Sequence, residues 1–164
     1  MKRATILFFA LIGLLFSCDK YKELTTESPC SNQAYRDSVA IVDKLAILKY
    51  AADSSITLDS ISTGLYYHIT FLGTGSNPNI SNKVLVNYKA YLLNGTVFSS
   101  TNGIPKQFEL DKLIKGWQDG VPLIKKGGKI TLFIPSGLGY GCEVNGAVPP
   151  NSVLIYNVDL LDFE

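Results

Sequence analysis

The stretch from Lys83 to Ser100, KVLVNYKAYLLNGTVFSS, constrains this chain more than any other. Val84, Val86, Tyr88, Ala90 and Leu92 recur at period two, so one strand places all five on a single face of a sheet. Asn94-Gly95 follows, and Val97-Phe98 resumes the apolar pattern beyond it. An Asn-Gly pair between two such runs is a strong hairpin signal, because glycine reaches positive φ without a steric penalty. An antiparallel sheet is therefore expected through the middle of the chain.

The flanking segments agree with it. LYYHITFLG, KQFEL, KITLFIP and SVLIYNVDLLDF each read as strands, and in the last Leu154, Tyr156, Val158 and Leu160 alternate with Asn157, Asp159 and Leu161. Asp111 is placed to cap a short helix with Leu113, Ile114, Trp117 and Val121 on one side. Upstream, Gln33 to Ala52 has helical spacing. Val39, Val42, Ala46 and Tyr50 form a stripe joined by Leu45 and Leu48, with Ser31 or Asn32 as cap. ADSSITLDSISTG then reads as a linker ending in a turn at Gly64. The predicted class is α+β: five or so antiparallel strands and one short helix, preceded by a helical extension.

The 164 residues carry a net charge of +1 with no run of like charges, which argues against nucleic acid as a partner. The first 18 residues, MKRATILFFALIGLLFSC, follow a different logic. Lys2 and Arg3 precede a 13-residue uncharged apolar run that fits the core of an export signal and is short for a membrane span. Leu15-Phe16-Ser17-Cys18 resembles the lipobox of bacterial lipoproteins, with Phe16 bulkier than usual. That resemblance implies a signal peptide over 1–17, a lipid thioether on Cys18 and a polar tether over 18–32. An ordinary secretory signal with an incidental cysteine is the other reading. Export to an oxidising compartment permits a disulfide between Cys30 and Cys142, but two cysteines so far apart in sequence do not establish one. The single histidine, His68, lacks a ligand-spaced partner, so no metal site is expected.

No Ser-His-Asp set or phosphate loop is present in the sequence. Six aromatic residues on small elements stand out instead: Tyr88, Phe98, Phe108, Trp117, Tyr140 and Tyr156. All six are core, or some line a site. The motifs VNYKAYLLNGTVFSS, QFEL, LIKGWQDGVPLIKKGGKITLFIPSGLGYG and GAVPPNSVLIYNVDLL bear on that choice. In that order and at that spacing, residues 64–164 resemble an FKBP-type peptidyl-prolyl isomerase domain. The third motif is the most specific of the four.

The resemblance implies an antiparallel half-barrel wrapped on a short helix, with an apolar pocket between them and no cofactor. Trp117 is then the pocket floor, and Tyr88, Phe98 and Tyr140 are the other catalytic positions. Phe108, Leu113, Ile114, Val148 and Tyr156 are wall positions, and Ala147 is a rim residue smaller than the family's usual Ile or Val. Two donors are implied to hold the substrate: the backbone N–H of Val148 and the Tyr140 hydroxyl. Ser99 stands where the family usually has Asp, and Ile104 falls near its usual Arg. Ser99 remains able to accept from Tyr88, and losing both charges leaves no orphan.

The expected partners are proline-containing exported polypeptides and FK506- or rapamycin-type macrolides. The expected location is a lipid anchor in the cell envelope, on an outer membrane facing the periplasm. The Gln33–Ala52 helix either pairs with a second copy or packs on its own domain. Two rival readings remain: a peptide-binding holdase chaperone with little catalysis, and a structural envelope protein whose aromatics are only core.

Overall fold

The computed structural model of the protein describes residues 29–164. The signal segment 1–17, Cys18 and most of the tether lie outside the described residues. Seven antiparallel strands form one sheet: β1 (Asp59–Ser60), β2 (Tyr66–Phe71), β3 (Lys83–Leu92), β4 (Val97–Ser100), β5 (Lys106–Glu109), β6 (Lys129–Ile134) and β7 (Leu154–Phe163). Their order is β1-β2-β6-β7-β3-β4, with β5 also paired to β3, and the sheet does not close. The linker thus supplies a two-residue edge strand, Asp59–Ser60, that pairs with Tyr66 and Tyr67.

The hairpin sits where Asn94-Gly95 places it. Leu92 O accepts from Gly95 N–H and Leu92 N–H donates to Thr96 O, both at 2.9 Å. Gly95 alone turns left-handed there, at φ 86°. The turn is therefore a three-residue loop with a glycine bulge. The β3–β4 register then slips: Ala90 faces Ser99 but Tyr91 faces Val97, leaving Phe98 as the extra residue.

Helix α2 (Lys115–Gly120) packs against one face of the sheet. Two glycines let it approach. A Cβ on Gly116 would lie 2.5 Å from Ile134 Cγ2, and one on Gly120 would lie 2.5 Å from a Leu132 methyl. Asp111 does not cap this helix. Residues Leu110–Lys112 close a separate 3-10 turn, and Leu113 and Ile114 stay extended, so Ile114 takes the N-cap position. Val121 likewise falls in the 3-10 turn that follows.

Side-chain alternation builds two cores from the same strands. Ile130, Leu132 and Ile134 on β6 and Leu154, Tyr156, Val158 and Leu160 on β7 face α2. Phe133, Val153 and Ile155 point the other way and meet Ile47 of helix α1 (Gln33–Asp53). Phe133, Ile155 and Ile47 are all fully buried, each burial being worth about 1.5–3 kcal/mol.

Asn32 caps α1, its side chain accepting from Tyr35 N–H. The helix face expected to pack is only partly the one that does. Asp43, Ile47 and Ala51 are its buried residues, with Val39, Ala46 and Tyr50 half-buried beside them. Val42, Leu45 and Leu48 point outward together with Ile41. The helix carries two apolar stripes and one sheet face is available, so the second stripe stays uncovered. Among the described residues, no helix is long and apolar enough to cross a membrane.

Candidate functional site

A cavity of about 210 Å³ opens between α2 and the sheet, lined by Tyr88, Ser99, Phe108, Leu113, Ile114, Trp117, Tyr140 and Tyr156. Four strands, the short helix and a loop contribute to it. β3 supplies Tyr88, β4 Ser99, β5 Phe108 and β7 Tyr156; α2 supplies Trp117, and the loop after β6 supplies Tyr140.

Trp117 is 2% exposed, so its ring belongs to the core and to the cavity floor at once. It meets Tyr88 and Tyr156 edge-on at centroid distances of 5.5 and 5.3 Å, and Phe108 at 6.4 Å. Tyr88 also touches Phe108 and Tyr156 at 6.1 and 5.9 Å. Five tilted or edge-on pairs link these four rings, arrangements that aromatic quadrupoles favour. Burial, with smaller contributions from the Tyr140 and Tyr88 hydroxyls, pushes the Tyr156 phenol far above its ordinary range, so it stays neutral.

Polar groups in the wall are few. Tyr88 Oη and Ser99 Oγ lie 2.8 Å apart and share a hydrogen bond. Thr101, buried behind them, receives Tyr88 N–H on its hydroxyl at 3.1 Å and locks the β3–β4 end of the site. Ile104, near the expected Arg position, is 72% exposed and turns to solvent.

Three predicted residues stand outside the cavity wall. Phe98 lies behind it, edge-on to Tyr156 at 5.7 Å. The bulge explains how Phe98 and its neighbour Ser99 both serve this side of the sheet: the extra residue breaks strict alternation. Ala147 is exposed at a loop tip, and the Val148 side chain is buried in the core. The Val148 N–H expected to hold substrate is occupied, donating to Asn145 O at 2.9 Å within a small reciprocal bridge.

The structure offers another donor, which the sequence reading missed. The Ile114 N–H at the cavity wall has no acceptor among the described residues. Leu113 N–H is used by Leu110 O, and the α2 ladder begins with Trp117 N–H to Ile114 O. Ile114 thus falls in the gap between a closed turn and a starting helix. The only sequence signal was its place as an apolar residue just before the helix, which says nothing about its amide.

The comparisons with known proteins agree with this arrangement. Residues 75–161 match the family model described as FKBP-type peptidyl-prolyl cis-trans isomerase. The FKBP-type peptidyl-prolyl cis-trans isomerase FkpA of Escherichia coli (strain K12) is 45% identical over 116 residues, covering 70% of this chain and 42% of that protein. FkpA of Buchnera aphidicola subsp. Schizaphis graminum is 41% identical over 127 residues, covering 76% and 50%. The crystal structure of FkpA from Escherichia coli superposes with a TM-score of 0.67 at 40% identity, covering 80% of this chain and 64% of the other. The chain spans about half the length of these curated relatives or less. By its matched family model and these relatives, the chain belongs to the FKBP-type peptidyl-prolyl cis-trans isomerase family.

Proposed function

We propose that this chain catalyses cis-trans rotation of X-Pro bonds in exported polypeptides, in the cavity floored by Trp117. The observation that carries this reading is a ring-walled cavity with one unpaired amide donor at its side and no histidine, carboxylate or thiol in its lining to drive covalent chemistry. Rotation breaks no covalent bond. Its barrier, about 18–20 kcal/mol, comes from lost amide resonance. In the twisted state the amide nitrogen is pyramidal and the carbonyl less polarised. An apolar cavity favours that state over the planar amide, which water solvates better.

Residues of this chain divide the work by position. The Trp117 face receives the proline ring, and Tyr156 and Phe108 exclude water. The Ile114 N–H holds the carbonyl of the bound peptide, and the Tyr140 hydroxyl supplies a second donor from the loop. Each fixes orientation, which lowers the entropic part of the barrier. FK506- and rapamycin-type macrolides fit the same cavity as competitors.

The chain is further proposed to act in the bacterial envelope as a lipoprotein anchored through Cys18, with residues 64–164 as the isomerase domain. A homodimer through α1 draws support from its outward stripe, where Ile41, Val42, Leu45 and Leu48 are 41 to 63% exposed. A protease-coupled proline-peptide assay tests the central reading. Peptide binding without rate enhancement would replace it with the holdase reading, which Ser99 in place of a carboxylate favours.

A further inference from the structure

The loop from Ser136 to Asn151 carries Tyr140, and α1 holds that loop at three points. Asp43 is 4% exposed, and its Oδ2 accepts from Ser136 N–H at 2.8 Å and from Ser136 Oγ at 2.7 Å. Tyr35 Oη accepts from Asn151 Nδ2 at 2.8 Å. Cys30, just ahead of the helix, forms a disulfide with Cys142. The sequence left that bridge open; the structure forms it, because α1 brings residue 30 to the loop.

These anchor points connect directly to Tyr140. Ser136 O accepts from Gly139 N–H and Gly141 N–H, at 2.9 and 2.8 Å, so the residues on both sides of Tyr140 hang from the residue Asp43 holds. Gly141 O in turn accepts from Asn151 N–H at 2.7 Å, joining the Tyr35 anchor to the same ring of bonds. Cys142 lies two residues beyond Tyr140. A buried charged acceptor with two donors makes strong, directional bonds, and a connected network moves as a unit.

We infer that α1 is a positioning element for the isomerase site: Asp43, Tyr35 and the Cys30–Cys142 disulfide set where Tyr140 stands, and the disulfide makes that placement sensitive to reduction. The inference rests on the isomerase reading for its effect on turnover, though not for its effect on the loop. Trp117 and its ring neighbours are held from other elements. Loosening the loop therefore weakens substrate capture and leaves the cavity floor in place. A dithiol reductant passes two electrons and two protons to the Cys30–Cys142 bond, leaving two protein thiols and its own disulfide.

The test uses the full chain in detergent solution and three alterations: Asp43→Ala, the paired change Cys30→Ser with Cys142→Ser, and wild type reduced by dithiothreitol. Two readouts are taken, amide hydrogen exchange at Gly139, Gly141 and Asn151, and KM and kcat on a proline tetrapeptide. Each alteration is expected to speed exchange at those amides and raise KM about two- to tenfold, the equivalent of one net hydrogen bond, with kcat little changed. Asp43→Asn keeps an acceptor oxygen and is expected to restore part of the loss.

Ile47→Ala is the control, since it loosens α1 against Phe133 and Ile155 without touching the loop bonds. A matching KM rise in Ile47→Ala would reduce the three anchors to general stability and overturn the inference. Unchanged loop exchange in Asp43→Ala and in the serine pair would overturn it as well. An inactive wild type would remove the isomerase reading instead, and loop exchange alone would then decide the brace.

Discussion

The cavity around Trp117 and the larger one beside α1 differ in almost every respect. The first holds about 210 Å³ and is walled by rings that touch edge-on. The second, about 600 Å³, runs between α1 and the segment after β6, past Tyr35, Val39, Ile41, Tyr66 and Leu138. Size points to the second. Chemistry points to the first, where an unpaired amide, a shared Tyr88–Ser99 hydrogen bond and a neutral Tyr156 converge on an apolar floor. Volume measures how well two elements fit together, while a site needs polar groups aimed at one place and side chains held rigid. The α1 side is built for attachment instead. Its links are a disulfide, a buried carboxylate and a small apolar cluster.

The sharpest way to break this contrast is to empty each side in turn. Trp117→Ala removes the floor and a core anchor, and is expected to cost about 3–5 kcal/mol of stability and to abolish peptide binding. Ile47→Ala is expected to cost about 2–4 kcal/mol, with peptide affinity within about twofold of wild type, a change smaller than one net hydrogen bond produces. Urea unfolding and peptide titration on both variants decide it. Equal losses of affinity would mean that the two sides are one unit.

A smaller effect is expected from Ser99→Asp, which restores the family's usual carboxylate beside Tyr88. Ile104 provides no compensating cation, so the half-buried charge is expected to lower stability by about 1–2 kcal/mol. Turnover on a proline peptide is expected to rise modestly, and Ser99→Ala to change it less. Abolished activity in Ser99→Ala would give the hydroxyl a role beyond accepting from Tyr88. Tyr140→Phe comes next: about 0.5–1.5 kcal/mol of substrate and macrolide binding lost, with little change in melting temperature. A large melting shift with unchanged binding would make Tyr140 part of the core.

The smallest expected effect is that of pH. The cavity lining contains no carboxylate, histidine or thiol, so turnover is expected to be nearly flat from about pH 6 to about pH 9. Tyr156 sets the alkaline limit. Its phenol is raised by burial first, so its stability contribution is complete below the ordinary phenol range and is lost as pH climbs through that range toward the raised value. A bell-shaped profile inside the flat window would reveal a titrating group outside the lining.

Much of the Trp117 side is legible in the sequence because its signals are local. Period-two alternation places Val84, Val86 and Ala90 in the core, Asn94-Gly95 sets the hairpin, and the apolar spacing around Trp117 marks a short helix. Of the residues read as site positions, Tyr88, Ser99, Phe108, Leu113, Ile114, Trp117, Tyr140 and Tyr156 come together, and Phe98, Ala147 and Val148 fall outside the wall. The misplaced donor has a plain cause. Which backbone amide is free depends on where a 3-10 turn ends and a helix begins, and side-chain identity does not report that at Ile114 or Val148.

The α1 side is harder to read. Spacing predicts the helix but cannot choose between its two apolar stripes, since both are amphipathic solutions for an isolated helix. Packing chooses: Phe133 and Ile155 need cover on the sheet's outer face, and Ile47 provides it. By itself the sequence determined every strand but β1, the hairpin, the presence of a short helix at Trp117 and the family, because each rests on periodicity, turn chemistry or an ordered motif. The tertiary structure alone decided that Cys30 meets Cys142, that Asp43 is buried on Ser136 and that Ile114 keeps a free amide. The first two join residues 112 and 93 positions apart, which no local pattern encodes, and the third depends on where a 3-10 turn ends and a helix begins, which side-chain identity does not report.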